Sequence, residues 1–161
     1  MAQKFMYGVG LLKFKGKTLG YILKDSFQMN GSKGEASKVF AEQAQSAPVK
    51  TLPGSNGSIA PSFNLIEMDY EVMAALLGGT VVKTGEVATG WKAPHEVVVL
   101  EGEFIIETNS KHRITIFNGI LQGNLGGSLN MTSVSQIEVA IEPQLPEDGT
   151  APYEIDDIPE L

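Results

Sequence analysis

The sequence predicts a mainly β domain with a single α-helix, and three features indicate this class. Apolar and polar residues alternate over several short stretches, as in strands with one buried face. The 18 glycines indicate a chain rich in turns. One stretch alone, Asp69 to Leu77, has its apolar residues at helical spacing. A length of 161 residues predicts one domain with a sizeable core.

Composition and charge limit the classes of function. The chain contains no cysteine, which excludes disulfides and thiolate chemistry. The formal charge is −7, and an acidic chain binds nucleic acid poorly because phosphate contacts need clustered Lys and Arg. Residues 1–50 carry eight Lys and three acids, whereas residues 51–161 carry four Lys or Arg and sixteen acids. This asymmetry is either incidental or lets the basic part of one copy meet the acidic part of another.

Targeting and membrane signals are not evident in the sequence. The first ten residues lack an apolar core followed by a cleavage site, so we expect no secretory signal. The longest apolar runs are far shorter than the roughly 20 residues of a membrane-spanning helix. We therefore expect a protein that folds in the cytoplasm and has no membrane partner.

The N-terminal segment predicts a β-hairpin. The apolar stretches Phe5–Phe14 and Thr18–Leu23 flank Lys15-Gly16-Lys17, which is typical of a tight turn between two strands. Ser26–Met29 is expected to be extended, and Asn30-Gly31 ends it.

Residues 30–58 predict a long loop. Both of its ends are rich in Gly, Ser and Asn, and Val39 and Phe40 are the strong apolar residues in its middle. We expect a helical turn near Ala41. Loops of this length are usually functional or disordered. The segment is therefore either an arm that orders against a neighbouring subunit or a mobile surface loop.

The stretch Ser62–Val82 is the one around which the chain is organised. Alternation over Ile59–Met68 predicts a strand with one buried face. Asp69 stands where a carboxylate caps a helix N-terminus, and Gly78-Gly79 suits the helix end before the β-branched strand Thr80–Val82. A helix this short is not stable alone in water, so it must dock on a sheet. Its expected core face consists of Val72, Met73, Leu76 and Leu77.

The strongest strand prediction follows a predicted loop. Lys83–Pro94 has the composition of a loop and contains the only Trp, Trp91. In Glu96–Thr108 alternate residues form an apolar face and an acidic face, and Gly102 marks a bulge or bend. The apolar face consists of Val98, Leu100, Phe104 and Ile106, and the acidic face of Glu101, Glu103 and Glu107.

Two further stretches close the predicted β domain. Arg113–Phe117 predicts a strand, and Asn118-Gly119 indicates a hairpin or a bulge. Ile120–Leu129 is loosened by its glycines, and Gln136–Glu142 alternates cleanly. In this last strand Ile137, Val139 and Ile141 are expected to face inward, and Glu138 and Glu142 outward.

The C-terminal residues predict a separate acidic tail. Pro143 ends the preceding strand because it cannot donate to the ladder. Residues 147–161 contain six acids and no base. The domain is therefore expected to span residues 1–143, and residues 144–161 to be disordered or to act as an arm on a partner.

Known catalytic motifs do not fit this chain. Gly16-Lys17-Thr18 lacks P-loop spacing because Leu11 stands where the first glycine is needed, so a hairpin turn is the better interpretation. The glycine-rich residues 123–128 lack the strand–turn–helix context of a dinucleotide site. His95 and His112 have no partner at metal-ligand spacing and are expected on the surface.

The acids of the predicted strands do not indicate an enzyme either. Glycosidases use paired carboxylates, but Glu101, Glu103 and Glu107 lie on the polar face of one strand, where plain solvation explains them. We therefore expect no enzymatic activity, no catalytic, cofactor-binding or metal-ligating residues, and no cofactor.

The order of these elements resembles the major tail tube protein of long-tailed, siphovirus-type bacteriophages. The resemblance is carried by the β-rich N-terminus, the long loop, the helix Asp69–Leu77, its exit Gly78-Gly79-Thr80-Val81-Val82, the strand Glu96–Thr108 and the closing strands that end near Glu142. It covers roughly residues 1–143 and leaves out the acidic tail.

This resemblance implies a β-sandwich or half-barrel flanked by one α-helix, as in the related tube protein of type VI secretion, the hemolysin-coregulated protein. It implies subunits in hexameric rings, whose inner strands close into a continuous barrel, and rings stacked into a tube for DNA passage. The long loop would reach the neighbouring ring, and the terminal arms would also touch neighbours.

The same resemblance implies partners and a location. The expected partners are further copies of the chain, other tail proteins, and phage DNA that passes through the lumen without specific binding. The expected location is the host cytoplasm during assembly and then the virion tail, or a prophage-derived tube. An acidic lumen would repel DNA phosphates, and its candidate lining residues are Glu101, Glu103, Glu107 and Glu138.

An alternative function remains open from the sequence. The chain is also compatible with a free-standing β-sandwich that binds a carbohydrate or a protein partner through an exposed aromatic patch of Trp91 and Tyr70. The competing interpretation of Trp91 is packing in the core or at an interface, given the large area an indole buries.

Overall fold

A computed structural model describes residues 4–159, and within them the chain is mainly β with one α-helix. The predicted class is confirmed. None of the helical structure in this range is long and apolar enough to cross a membrane. The elements are β1 (Leu11–Phe14), β2 (Lys17–Thr18), β3 (Glu35–Val39), β4 (Lys50–Ser55), β5 (Ser62–Leu65), α1 (Tyr70–Leu77), β6 (Thr80–Thr84), β7 (Val87–Lys92), β8 (Leu100–Glu107), β9 (His112–Gly127), β10 (Ser135–Pro143) and β11 (Tyr153–Asp157).

Seven strands form the main antiparallel sheet, in the order β2-β1-β8-β9-β10-β5, with β11 also paired to β9. β10 pairs with residues 119–127 of β9, and β11 pairs with residues 112–116. Because β8 borders both parts of β9 on the other side, β10 and β11 lie end to end along one side of this strand. The hairpins β3–β4 and β6–β7 form two separate two-stranded sheets.

A bulge in β9 keeps its buried side chains directed toward the core. Gly102 of β8 pairs with Gly119, and Phe104 pairs with Ile116, so two residues of β9 oppose one residue of β8. Ile116, before the bulge, and Leu121, after it, are both buried. In a regular strand two residues five positions apart would point to opposite faces, and the extra residue of the bulge brings them to the same face. The irregularity predicted at Gly102 is confirmed. For Asn118-Gly119, predicted as a hairpin or a bulge, the bulge is correct, since Phe117 and Asn118 of β9 oppose Glu103.

The main sheet is curled but does not close on itself. The predicted N-terminal hairpin is present as β1–β2, at one end of the sheet. Only a few residues later, Ile22 and Gln28 bridge to Leu65 and Ser62 of β5 at the other end. A segment this short touches both ends only if the sheet bends around its apolar face.

The curled sheet and α1 enclose a core that includes the rings of Phe63 and Phe104, stacked with centroids 5.8 Å apart. The end of α1 lies directly over β9. A Cβ on Gly123 would stand 3.0 Å from the Leu77 side chain and 3.1 Å from the Leu76 carbonyl, so glycine allows this close approach. On the expected helix face Val72, Met73 and Leu76 are buried, and Leu77 is partly buried against the core.

Several boundaries differ from the sequence-based expectation. The predicted loop of residues 30–58 contains the paired strands β3 and β4. Lys83–Pro94 is not a loop but contains the β6–β7 turn and β7, with Gly85 at φ 68° in the turn. The acidic tail is neither disordered nor free over Tyr153–Asp157, because the backbone of β11 pairs with β9. The strand predicted to begin at Glu96 begins at Leu100, and Val98, expected in the core, is 44% exposed.

Candidate assembly surfaces

Residues 33–57, which contain the β3–β4 hairpin, form an arm outside the body of the molecule. Ser32 and Ser58 close its base through backbone hydrogen bonds of 2.8 and 3.2 Å. Beyond this base every residue of the arm is exposed except Ala41, which is partly exposed. The tip is a tight turn in which the Ala44 N–H donates to the Ala41 carbonyl at 3.0 Å, and not the expected helical turn. The arm buries very little surface against its own chain.

The arm carries apolar side chains that its own chain does not cover. Val39 is 42% exposed, Phe40 55%, Val49 58% and Leu52 42%. An isolated two-stranded hairpin is marginally stable at best in water. The arm therefore presents an uncovered apolar surface.

A second exposed apolar surface lies at one end of the main sheet. Residues 125–134, the ribbon tip, join β9 to β10 and contain Leu129 at 85% and Met131 at 101% exposure. Val97–Val99 lie near the same end, because β8 begins beside Leu121 of β9 and this segment directly precedes it. Sequence reasoning did not single out the ribbon tip. The sequence pattern that could have indicated it is a pair of large apolar residues in a turn rich in Gly, Asn and Ser. These residues do not belong to an alternating strand pattern that would assign them to a core.

The acids predicted to line a lumen lie on one face of the main sheet. β8 and β10 alternate buried apolar residues with acids, so the acids project from the face opposite the core. We call this surface the acidic face. On β8 and β10 it contains the four predicted residues and one more: Glu101, Glu103, Glu107, Glu138 and Glu142.

Cross-strand pairing places these acids in neighbouring rows. Ile120 of β9 stands between Glu101 on one side and Glu142 on the other. Side-chain amides of β9 orient two of the carboxylates. Asn118 Nδ2 donates to Glu101 Oε1 at 2.7 Å, and Asn124 Nδ2 donates to Glu138 Oε2 at 3.0 Å.

One end of the acidic face contains an ion pair. Arg113 is the cross-strand neighbour of Glu107 and donates to Asp156 from Nε at 3.2 Å and from Nη2 at 2.6 Å. This hydrogen bonding, together with the Coulomb attraction, lowers the pKa of Asp156 and raises that of Arg113. Among residues 4–159 the other ion pairs join Lys17 and Lys83 to Glu71, so the part of the face around Glu101, Glu138 and Glu142 contains no ion pair.

Trp91 is a structural residue in this fold. Its indole Nε1 donates to the Gly78 carbonyl at 2.8 Å, which satisfies a carbonyl at the C-terminal end of α1. The ring is partly buried and packs against the core. At the other end of the helix the Asp69 carboxylate accepts the Glu71 N–H at 3.0 Å, as predicted for a helix cap. Trp91 is thus engaged in packing, and Tyr70 is 38% exposed, which does not favour an open aromatic platform.

His112 is not the surface histidine that the sequence suggested. Its Nδ1 lies 2.8 Å from Ser110 Oγ, which is also 2.8 Å from Thr108 Oγ1 and accepts the Tyr7 N–H at 3.1 Å. Ser110 is only 1% exposed, so it is inaccessible as a nucleophile. The cluster fastens residues near the N-terminus to the β8–β9 turn.

In the part of the chain that the structure describes, no group of three or more His, Cys, Asp or Glu is placed to hold a metal ion. Comparison with known proteins adds no further assignment. No protein-family model matches the chain, and no curated protein shows a significant match to it.

Proposed function

We propose that this chain is a structural subunit that self-assembles into stacked hexameric rings and forms a phage or prophage-derived tail tube for DNA passage. In this proposal the fold is the tail tube-like version of a mainly β domain, with the main sheet facing the lumen. The protein is not an enzyme, and its partners are further copies, other tail proteins and the DNA in the lumen.

The observation that carries the proposal is the arm. It extends from the body, exposes four large apolar residues, and has almost no contact with its own chain. Exposed apolar patches of this kind mark interaction sites in soluble proteins. The ribbon tip and Val97–Val99 add a second such surface on a different element, as a subunit with neighbours on several sides requires.

The acidic face supports a role for the sheet in the lumen. Its carboxylates lie on the uncovered side of the strands, while α1 packs on the core side. A lumen of this charge repels phosphate at short range and so lets DNA slide. The closed ring would also cover sheet edges that are open in the single subunit.

Negative-stain microscopy of the concentrated protein tests the proposal. We expect rings or tubes, and we expect them to shorten or dissociate as salt rises if the basic first fifty residues contact an acidic surface of the next ring. A protein that stays monomeric at high concentration, with and without preformed tail initiation complex, would contradict the assembly proposal. Tubes whose length and stability do not change with salt concentration would contradict only the contact between the basic first fifty residues and the acidic surface of the next ring.

The lumen assignment has a separate test. The triple variant Glu101→Gln, Glu103→Gln and Glu138→Gln should form normal tubes but change DNA passage, measured as the rate of genome ejection from particles that contain it. Glu86→Gln, at the β6–β7 turn, is a control for the loss of a single charge at a position outside the acidic face. Loss of tubes in the triple variant, or an unchanged ejection rate, would count against the lumen role.

A further inference from the structure

We propose that β11 exchanges between copies, so that β11 of one subunit pairs with β9 of its neighbour in the assembled protein. The inference rests on the self-assembly proposed above and assigns one specific contact between copies. It is drawn from the connection between β10 and β11 and from the kind of contacts that β11 makes.

The connection is much longer than its position requires. β10 ends at Pro143, opposite Gly119, and β11 begins at Tyr153, opposite Ile116 of the same strand. These two positions on β9 are about 10 Å apart, at roughly 3.3 Å per strand residue. The linker of residues 144–152 can span about 30 Å when extended. The slack of about 20 Å lets β11 move away from its own β9 by about four strand spacings.

The linker is held mainly by its own residues. Gly149 donates to the Pro146 carbonyl at 3.1 Å, and the Asp148 carboxylate accepts both the N–H and the hydroxyl of Thr150. Gln144 N–H donates to the β9 backbone at 2.8 Å, at the very start of the linker. Leu145 is 71% exposed. Opening the linker therefore disrupts few contacts with the body, and an extended linker has an apolar residue to bury between copies.

The contacts of β11 are equally available in a neighbour. They consist of a five-residue antiparallel register with β9, the hydrogen bond from the Ile158 N–H to the Lys111 carbonyl, the two hydrogen bonds between Asp156 and Arg113, and the packing of Tyr153 against the core. Every copy offers the same β9 surface, so exchange conserves these contacts. Exchange of an identical element is a low-cost way to join copies. Assembly favours it further, because neighbours held side by side present their β9 at high effective concentration.

Disulfide trapping with single-cysteine variants tests the exchange. Thr115 and Glu154 are directly opposed in the β9–β11 register, which suits a disulfide, and the chain contains no other cysteine. One preparation carries Thr115→Cys and another carries Glu154→Cys. They are mixed, assembled and mildly oxidised. A covalent heterodimer in excess of the yield from random collision forms only if β11 of one copy lies on β9 of another.

The matched control is a mixture of Asn64→Cys and Glu138→Cys. These positions are opposed between β5 and β10, within the body and without a long linker. We expect about tenfold more heterodimer from the β11 mixture than from the control, since pairing raises the effective concentration of the two thiols. Equal yields from the two mixtures would overturn the exchange.

A shortened linker separates exchange from pairing within one copy. Deletion of residues 146–150 leaves enough chain to cross the gap along β9 but removes most of the slack. With both cysteines on one such chain, an internal disulfide should form, which confirms folding, while the mixture of single variants should give no heterodimer. Continued heterodimer formation would refute the role of the linker. If the wild type forms tubes but the mixture of single-cysteine variants gives no heterodimer, the exchange alone is overturned. If the wild type does not assemble, both proposals are overturned.

Discussion

Replacement of the arm by a two-residue turn separates folding from assembly. The variant joins Ser32 to Ser58 through Asn-Gly, the sequence preferred in two-residue hairpin turns. The two backbone hydrogen bonds between Ser32 and Ser58 are of the kind that close such a turn. We expect the body to fold normally and the tubes to be lost.

The expected change in stability follows from exposure and loop length. Because the residues of the arm are exposed, its removal takes no significant apolar burial from the body. Shortening a closed loop from about 25 residues to 2 lowers the entropic cost of closure by up to about 2 kcal/mol. The free energy of unfolding, measured by urea denaturation, should therefore stay the same or rise within that limit.

Two results would refute this reasoning. A loss of more than about 1 kcal/mol of stability would mean that the arm contributes to the core, contrary to its exposure. Normal tubes from the truncated protein would mean that the arm is not the main contact. Phe40→Ser in the full-length arm provides a finer test, with weakened assembly and unchanged stability expected. Ser46→Ala in the same arm is the control and should change neither.

Three further predictions concern the fold. Leu76→Ala should lower the free energy of unfolding by about 2–5 kcal/mol in urea denaturation, because this fully buried helix residue leaves a cavity. Trp91→Phe should cost about 1 kcal/mol or somewhat more, since the Gly78 carbonyl loses its indole donor; an unchanged midpoint would contradict that role. The hydrogen bond from Arg113 lowers the pKa of Asp156 in the folded state. The ion pair therefore contributes its full stability to β11 at pH values above the ordinary carboxyl pKa of about 3.9. This contribution is lost as the pH falls through the lowered pKa of the folded state. Hydrogen-exchange protection of β11 should therefore fall at acidic pH in the wild type, and Asp156→Asn should remove that part of the pH dependence.

The local parts of the fold were predictable because they depend on neighbouring residues. The helix is an example: Asp69 caps its start, Gly78 ends it, and its apolar residues recur at helical spacing. The acids of β8 were also placed correctly on the strand face opposite the core, since alternation along a strand decides which side a residue takes. The irregularity at Gly102 could be anticipated because a glycine inside a strand often marks a bulge.

Other parts were mispredicted because composition was a poor guide to pairing. Acidic and proline-containing residues near the C-terminus indicated disorder, yet β11 forms because β9 offers its backbone donors and acceptors along a free side. Glycine and lysine around Trp91 indicated a loop, yet β7 pairs with β6 and the indole caps the helix. In both cases a partner distant in sequence outweighed local propensity.

By itself, the sequence determined the mainly β class, the position and caps of the helix, and the alternation that separates a buried face from an acidic one. These properties follow from side-chain chemistry and from the periods of helix and strand. Only the tertiary structure decided that the acids of β8 and β10 share one surface, that the residues of the arm stay exposed, and that β11 continues the sheet beside β10. Which strands pair, and which surfaces stay uncovered, depends on contacts between residues far apart in the chain.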